Sequence, residues 1–122
     1  MKYVAPIEEM LFIIENVCDV KSLNKFSKYA HLDITTIRTI LEEIGKLSTN
    51  KIEPVNRPSD LSPPKLENDK VICSPGFVEA YKAIADGGWV GSSANSKFGG
   101  MDLPMVITSC VNEILGSACL SL

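Results

Sequence analysis

Few side chains in this sequence can act as nucleophile, acid, base or metal ligand. They are Cys18, Cys73, Cys110 and Cys119, the lone His31, and the adjacent pairs Glu8-Glu9 and Glu42-Glu43. No C-x-x-C pair occurs and no cysteine stands at ligand spacing from His31, so no metal site is expected. Cys18, Ser27 and Asp33 flank His31 only in sequence, and a nucleophile–base–acid set is defined by geometry rather than spacing. An exposed or capping histidine is the simpler reading. Adjacent residues on a helix do not face each other, so neither glutamate pair is a shared-proton dyad. Glu8 and Glu9 are expected to offset a helix dipole, and Glu42 and Glu43 to form a solvated face. Glu113 borders an apolar stripe, where burial would raise its pKa, but it is expected on the polar side of its helix. No residue is assigned a catalytic role.

Backbone chemistry is the alternative. Gly87-Gly88-Trp89-Val90-Gly91 and then Phe98-Gly99-Gly100-Met101-Asp102-Leu103-Pro104 set five glycines around the single tryptophan. Glycine permits positive φ or a close approach of other groups to the main chain. Neither G-x-G-x-x-G nor G-x-x-x-x-G-K-[ST] is present, so a nucleotide-phosphate cradle is not indicated. Asp86-Gly87-Gly88 is explained as a helix stop. Gly99-Gly100 before Leu103-Pro104 shapes a tight loop at a helix start, serving either a ligand or packing. Trp89 is expected to anchor that loop in the core.

The chain of 122 residues carries 45% hydrophobic and 22% charged residues, the balance of one globular domain. A net charge of −3 leaves no basic footprint for nucleic acid or anionic lipid. The apolar run from Leu103 to Leu122 contains Asn112 and Glu113. A charge at mid-membrane costs about 2.5–3.5 kcal/mol, so a buried helix rather than a membrane span is expected. With no signal peptide in front, reduced cysteines and a cytoplasmic location are expected.

Periodicity supplies the elements that must position these residues. Pro6 suits a first helical turn, and Ile7, Met10, Leu11, Ile14, Val17 and Cys18 recur as one apolar face. Phe12 and Ile13 widen that face, which calls for neighbours on more than one side. A shorter helix is expected over 22–32, with Leu23, Phe26 and Ala30 inward. Asp33 caps the next helix, whose stripe is Ile34, Ile37, Ile40, Leu41, Ile44 and Leu47. Gly45 lies near its end, and Pro54 should stop anything continuing. Pro54, Pro58, Pro63 and Pro64 forbid a long helix between about 50 and 74, where Asn68-Asp69 is turn chemistry and Val71-Ile72-Cys73 could pair as a strand. Ser74-Pro75 reads as cap and first turn of a helix bearing Phe77, Tyr81 and Ile84. Pro104 opens the last helix, with Leu103, Val106, Ile107, Cys110, Val111, Ile114, Leu115 and Ala118 inward. The expected fold is all-α, a small bundle of four to five helices with a Pro-rich excursion and at most one short β-hairpin.

The order of these motifs resembles a known family. Tyr3-Val4-Ala5-Pro6 with Met10-Leu11-Phe12, the helix Ile37 to Lys46, Pro54-Val55-Asn56-Arg57 with Asp60, Val71, Pro75-Gly76-Phe77 and Glu79-Ala80-Tyr81 lead into Gly87-Gly88-Trp89 and Phe98-Gly99-Gly100 through Leu103-Pro104. Together they resemble the N-terminal helical domain of large bacterial-type acyl-CoA dehydrogenases, over essentially the whole chain. Asp102 stands where members often carry a third glycine, and Ser59 where glycine often precedes Asp60. Asp102 is expected to cap the helix that Pro104 opens.

The resemblance implies one domain over residues 1–122, with the family's middle β domain and C-terminal helical bundle absent from this chain. It implies a role in FAD-dependent α,β-dehydrogenation of acyl-CoA thioesters in fatty acid oxidation, in which a glutamate takes the α proton and FAD the hydride. In such a protein this domain helps wall the acyl pocket, with Gly99, Gly100 and Leu103 as substrate-side residues. The flavin site and catalytic base would lie in the other domains, leaving this chain inactive alone. The alternative is a non-catalytic helical module or split-gene product that self-associates, or binds a partner, through its very apolar first and last helices.

Overall fold

The computed structural model describes residues 2–122. Its helices are α1 (Ile7–Asn16), α2 (Ile34–Leu47), α3 (Glu53–Leu61), α4 (Phe77–Asp86) and α5 (Met105–Ala118). One antiparallel hairpin, β1 (Lys65–Glu67) and β2 (Lys70–Ile72), interrupts them. The all-α bundle with a single short hairpin is as the sequence implied.

The core forms where α1, α2 and α5 meet. Ile37, Leu41 and Ile44 of α2 and Ile107, Val111 and Ile114 of α5 are completely buried, and Met10, Leu11 and Ile14 of α1 close the cluster. These residues recur at three- and four-residue steps, so each helix turns one stripe inward. Asp33 caps α2 by accepting the Thr36 N–H at 2.7 Å. Helix α5 also buries Thr108, which the apolar stripe did not mark. A second, smaller cluster joins Ile52, Ala80, Ala118 and Cys119.

Several expectations are corrected. Helix α1 has neighbours on one side only: Phe12, Ile13, Val17 and Cys18 are exposed, Val17 by 72%. The helix ends at Asn16, whose side-chain amide donates back to the Phe12 carbonyl at 2.9 Å. Two 3-10 turns, Val20–Lys25 and Ser27–Tyr29, replace the helix expected over 22–32, and Phe26 and Ala30 point to solvent while Leu23 is half-buried. Pro54 does not stop the chain after α2. A π-helical turn, Ser48–Ile52, carries it directly into α3, where Pro54 occupies the first turn and Pro58 lies inside. Proline is tolerated in a first turn because its missing N–H would have no partner there. Helix α4 begins two residues later than expected. Ser74, Pro75, Gly76 and Phe77 form a turn closed by the Phe77 N–H on the Ser74 carbonyl at 3.2 Å, with Gly76 at φ 80°, ψ −6°. Proline then glycine at the centre is the type II turn composition.

Candidate functional site

The glycine-rich loop runs from the end of α4 to the start of α5, over residues 87–104. Trp89 is half-buried and packs on the main core, holding the near limb as expected. The far limb is held by Leu103, which is 7% exposed within that same core. Between these anchors the limbs are zipped main chain to main chain. The Met101 N–H donates to the Gly91 carbonyl at 3.1 Å, the Leu103 N–H to Ser92 at 2.9 Å, and the Asp102 N–H to Ala94 at 3.0 Å. The Gly100 N–H closes the tip by donating to the Asn95 carbonyl at 3.1 Å. A loop whose ends meet and whose backbone is paired in this way is an Ω-loop.

Asp102 organises the loop electrostatically. It stands at φ 55° and does not cap α5, whose start at Pro104 has no side-chain cap. Its Oδ2 instead accepts the Ser96 N–H at 2.9 Å, and its Oδ1 meets the Lys28 Nζ at 2.7 Å. The Lys28 ammonium, followed by the Ser96 hydrogen bonds, holds the Asp102 carboxyl down to about 2. The Lys28 ammonium is raised in turn by that carboxylate. Lys28 belongs to the 3-10 segment before α2, so this ion pair ties the loop to the opposite part of the chain. Nothing in the sequence pointed to Lys28. The only local signal was an aspartate at a position favouring glycine, consistent with a left-handed residue.

The three residues singled out from sequence are therefore placed differently from one another. Gly99 is exposed at the tip at φ 84°, with no atom within 4 Å of where a Cβ would lie. Gly100 is half-buried and lies against Ala94. Leu103 faces the core. The tip also presents Phe98, 83% exposed, beside Lys97. Chemically the tip offers bare backbone, an aromatic ring and an ammonium, while the Asp102 carboxylate beneath it is already engaged by the Ser96 N–H and Lys28.

Elsewhere, a groove of about 580 Å³ opens between the end of α3 and the start of α4, lined by Arg57, Asp60, Ser74, Phe77 and Ser121 among others. Arg57 is engaged by Asp60 at 3.1 Å. Ser74 is buried with its hydroxyl unpaired, and Ser59 and Ser121 hydroxyls lie 3.3 Å apart. The four cysteines are free thiols; Cys110 is buried, which pushes its thiol up, whereas Cys18 and Cys73 are exposed. Glu113 and His31 are exposed, as expected. Among the described residues, no three His, Cys, Asp or Glu side chains converge as a metal site. Among those residues, too, no helix is long and apolar enough to cross a membrane.

No family model matches the chain. It is 31% identical over 121 residues to the 3-methylmercaptopropionyl-CoA dehydrogenase of Ruegeria pomeroyi, covering 99% of this chain and 21% of that protein. It is 22% identical over 118 residues to the broad-specificity linear acyl-CoA dehydrogenase FadE5 of Mycobacterium tuberculosis, covering 94% of this chain and 19% of that protein. Both relatives are acyl-CoA dehydrogenases. The chain is similar to one segment of each. The chain spans about a fifth of the length of these curated relatives.

Proposed function

We propose that this chain is the N-terminal helical domain of an FAD-dependent acyl-CoA dehydrogenase, contributing to the acyl-chain pocket and to packing between domains. The observation that carries the reading is similarity along 99% of the chain to an acyl-CoA dehydrogenase roughly five times longer. The exposed apolar faces support it: Phe12, Ile13 and Val17 on α1, and Val78 and Tyr81 on α4, leave unburied surface that further domains would cover. In this reading Leu103 anchors the loop while Gly99 and Gly100 bring its main chain close to the acyl chain.

The described residues do not by themselves fit FAD. The 580 Å³ groove holds one guanidinium, Arg57, and Asp60 already neutralises it, so no free cation faces a pyrophosphate. The N–H groups of Gly91, Gly99, Gly100, Met101, Asp102 and Leu103 are bonded within the loop rather than turned outward. In this reading the chemistry of dehydrogenation belongs to the remaining domains, and the 122-residue chain is inactive alone. The test is complementation. Ruegeria pomeroyi 3-methylmercaptopropionyl-CoA dehydrogenase, trimmed of its matching segment, should regain flavin-dependent activity when this chain is fused in its place. Tight flavin binding by the 122-residue chain alone, seen as quenched flavin fluorescence, would overturn the assignment.

A second reading is a non-catalytic helical module that self-associates or binds a protein partner. The exposed row Phe12, Ile13 and Val17 favours it. It predicts a concentration-dependent mass and no gain of activity in the fused enzyme.

A further inference from the structure

The β1–β2 hairpin stands apart from both core clusters. All six of its residues are exposed, Leu66 by 74% and Val71 by 69%, and it forms a two-stranded sheet with both outer edges unpaired. Such a ribbon is marginal alone, and a free edge is a template for another strand. The register pairs Lys65 with Ile72, Leu66 with Val71 and Glu67 with Lys70. Asn68 and Asp69, at φ 48° and 60°, form the two-residue turn between them. Positive φ at both positions is the I′ turn, which makes Glu67–Lys70 the hydrogen-bonded pair that closes the hairpin. Pairs alternate along an antiparallel ladder, so the Leu66 N–H and C=O point away from β2, toward the free edge.

That edge reads Lys65-Leu66-Glu67, and it is complementary to itself. Antiparallel pairing of two copies about a two-fold axis at Leu66 sets each Leu66 opposite the other, exchanging two N–H···O=C bonds. The same axis sets each Lys65 opposite the second copy's Glu67 on one face of the joined sheet, giving two opposite-charge pairs. Slippage is limited by Pro63 and Pro64, which have no N–H to donate and end pairing beyond Lys65. The β2 edge, Lys70-Val71-Ile72, has no such symmetry: an axis at Val71 would set Lys70 opposite Ile72.

We propose that the outer edge of β1 is a homodimerisation surface whose partner is a second copy of this chain, joined as a four-stranded antiparallel sheet. This contact is independent of the acyl-CoA dehydrogenase reading, and it lies on a strand edge rather than on the apolar helix faces. The closed two-fold geometry ends at a dimer.

Sedimentation velocity of the 122-residue chain, with two charge variants, tests it. Lys65→Glu makes the edge all acidic. Glu67→Lys/Lys70→Glu makes it all basic while keeping opposite charges on the intrachain 67–70 pair. The wild-type chain is expected to show monomer–dimer exchange. Each variant alone should dimerise on the order of tenfold more weakly, since two attractive cross-strand pairs become repulsive. An equimolar mixture of the two should recover wild-type association, because acidic and basic edges are complementary. A wild-type chain that stays monomeric overturns the proposal, as does a dimer indifferent to either variant, or a mixture no better than its parts. Hydrogen exchange on the wild-type chain gives a check that needs no variant. The Leu66 amide should become protected as concentration rises, and an amide that exchanges freely in the dimer overturns the proposal.

Discussion

The carbonyl oxygen of Ala94 lies 2.0 Å from the place a Cβ on residue 100 would occupy, with the Ala94 carbonyl carbon at 2.3 Å. No flexible side chain stands there to yield; both atoms are backbone. Residue 100 therefore has to be glycine for the two limbs of the loop to close with their hydrogen bonds in place. Gly99, its neighbour, is constrained in another way, by a positive φ with open space around it.

Gly100→Ala should consequently cost more than Gly99→Ala. The first forces the zipped backbone apart, a steric penalty of about 2–3 kcal/mol. The second strains one left-handed residue by about 1 kcal/mol. Urea unfolding midpoints of the two variants check the order; equal midpoints would show that the loop yields freely at Ala94.

Asp102 gives the loop a pH signature. Its folded-state pKa is depressed to about 2, below the ordinary aspartate value of about 3.9. A depressed acid stabilises the fold above its unfolded pKa, and the contribution is lost as pH falls through the folded pKa. The stability difference between the wild-type chain and Asp102→Asn should be constant above about pH 5, shrink as pH falls from about 4 to 2, and disappear below. Asparagine tolerates the left-handed backbone, so the comparison reports on the charge. Lys28→Met should reproduce much of the effect, because Lys28 is the main cause of the shift. A pH-independent difference would remove the ion pair from the account.

Truncation should separate the two faces of the bundle. Ile44 is completely buried in the core shared by α1, α2 and α5, so Ile44→Ala should cost about 2–5 kcal/mol. Phe12 is 64% exposed, and Phe12→Ser should leave the stability of the 122-residue chain within about 0.5 kcal/mol. Thermal unfolding followed by circular dichroism measures both. A large loss for Phe12→Ser would mean that the outer face of α1 is covered in solution.

Reading the helices from sequence succeeded where burial is one-sided and local. The α2 stripe and its Asp33 cap, and the α5 stripe after Pro104, needed only the 3.6-residue period and a side chain able to accept a backbone N–H. The errors share a cause. Val17 and Cys18 continue the apolar period of α1, but no element lies beside them, and periodicity does not say how long the neighbouring surface is. Pro54 reads locally as a stop, yet the π-helical turn Ser48–Ile52, with Ser48 and Ile52 buried, carries the helical path past it.

The sequence by itself determined the class of the fold, the helix stripes, the Asn68-Asp69 turn and the place of the glycine loop. Each follows from the preferences of residues close together along the chain. The tertiary structure decided what the loop does with its parts: Leu103 became an anchor, Gly100 a close approach to Ala94, and Asp102 the partner of Lys28. Residues 28 and 102 are too far apart in sequence for any local preference to pair them. Only the packing of α2 and α5 around one core brings the segments that carry them within reach.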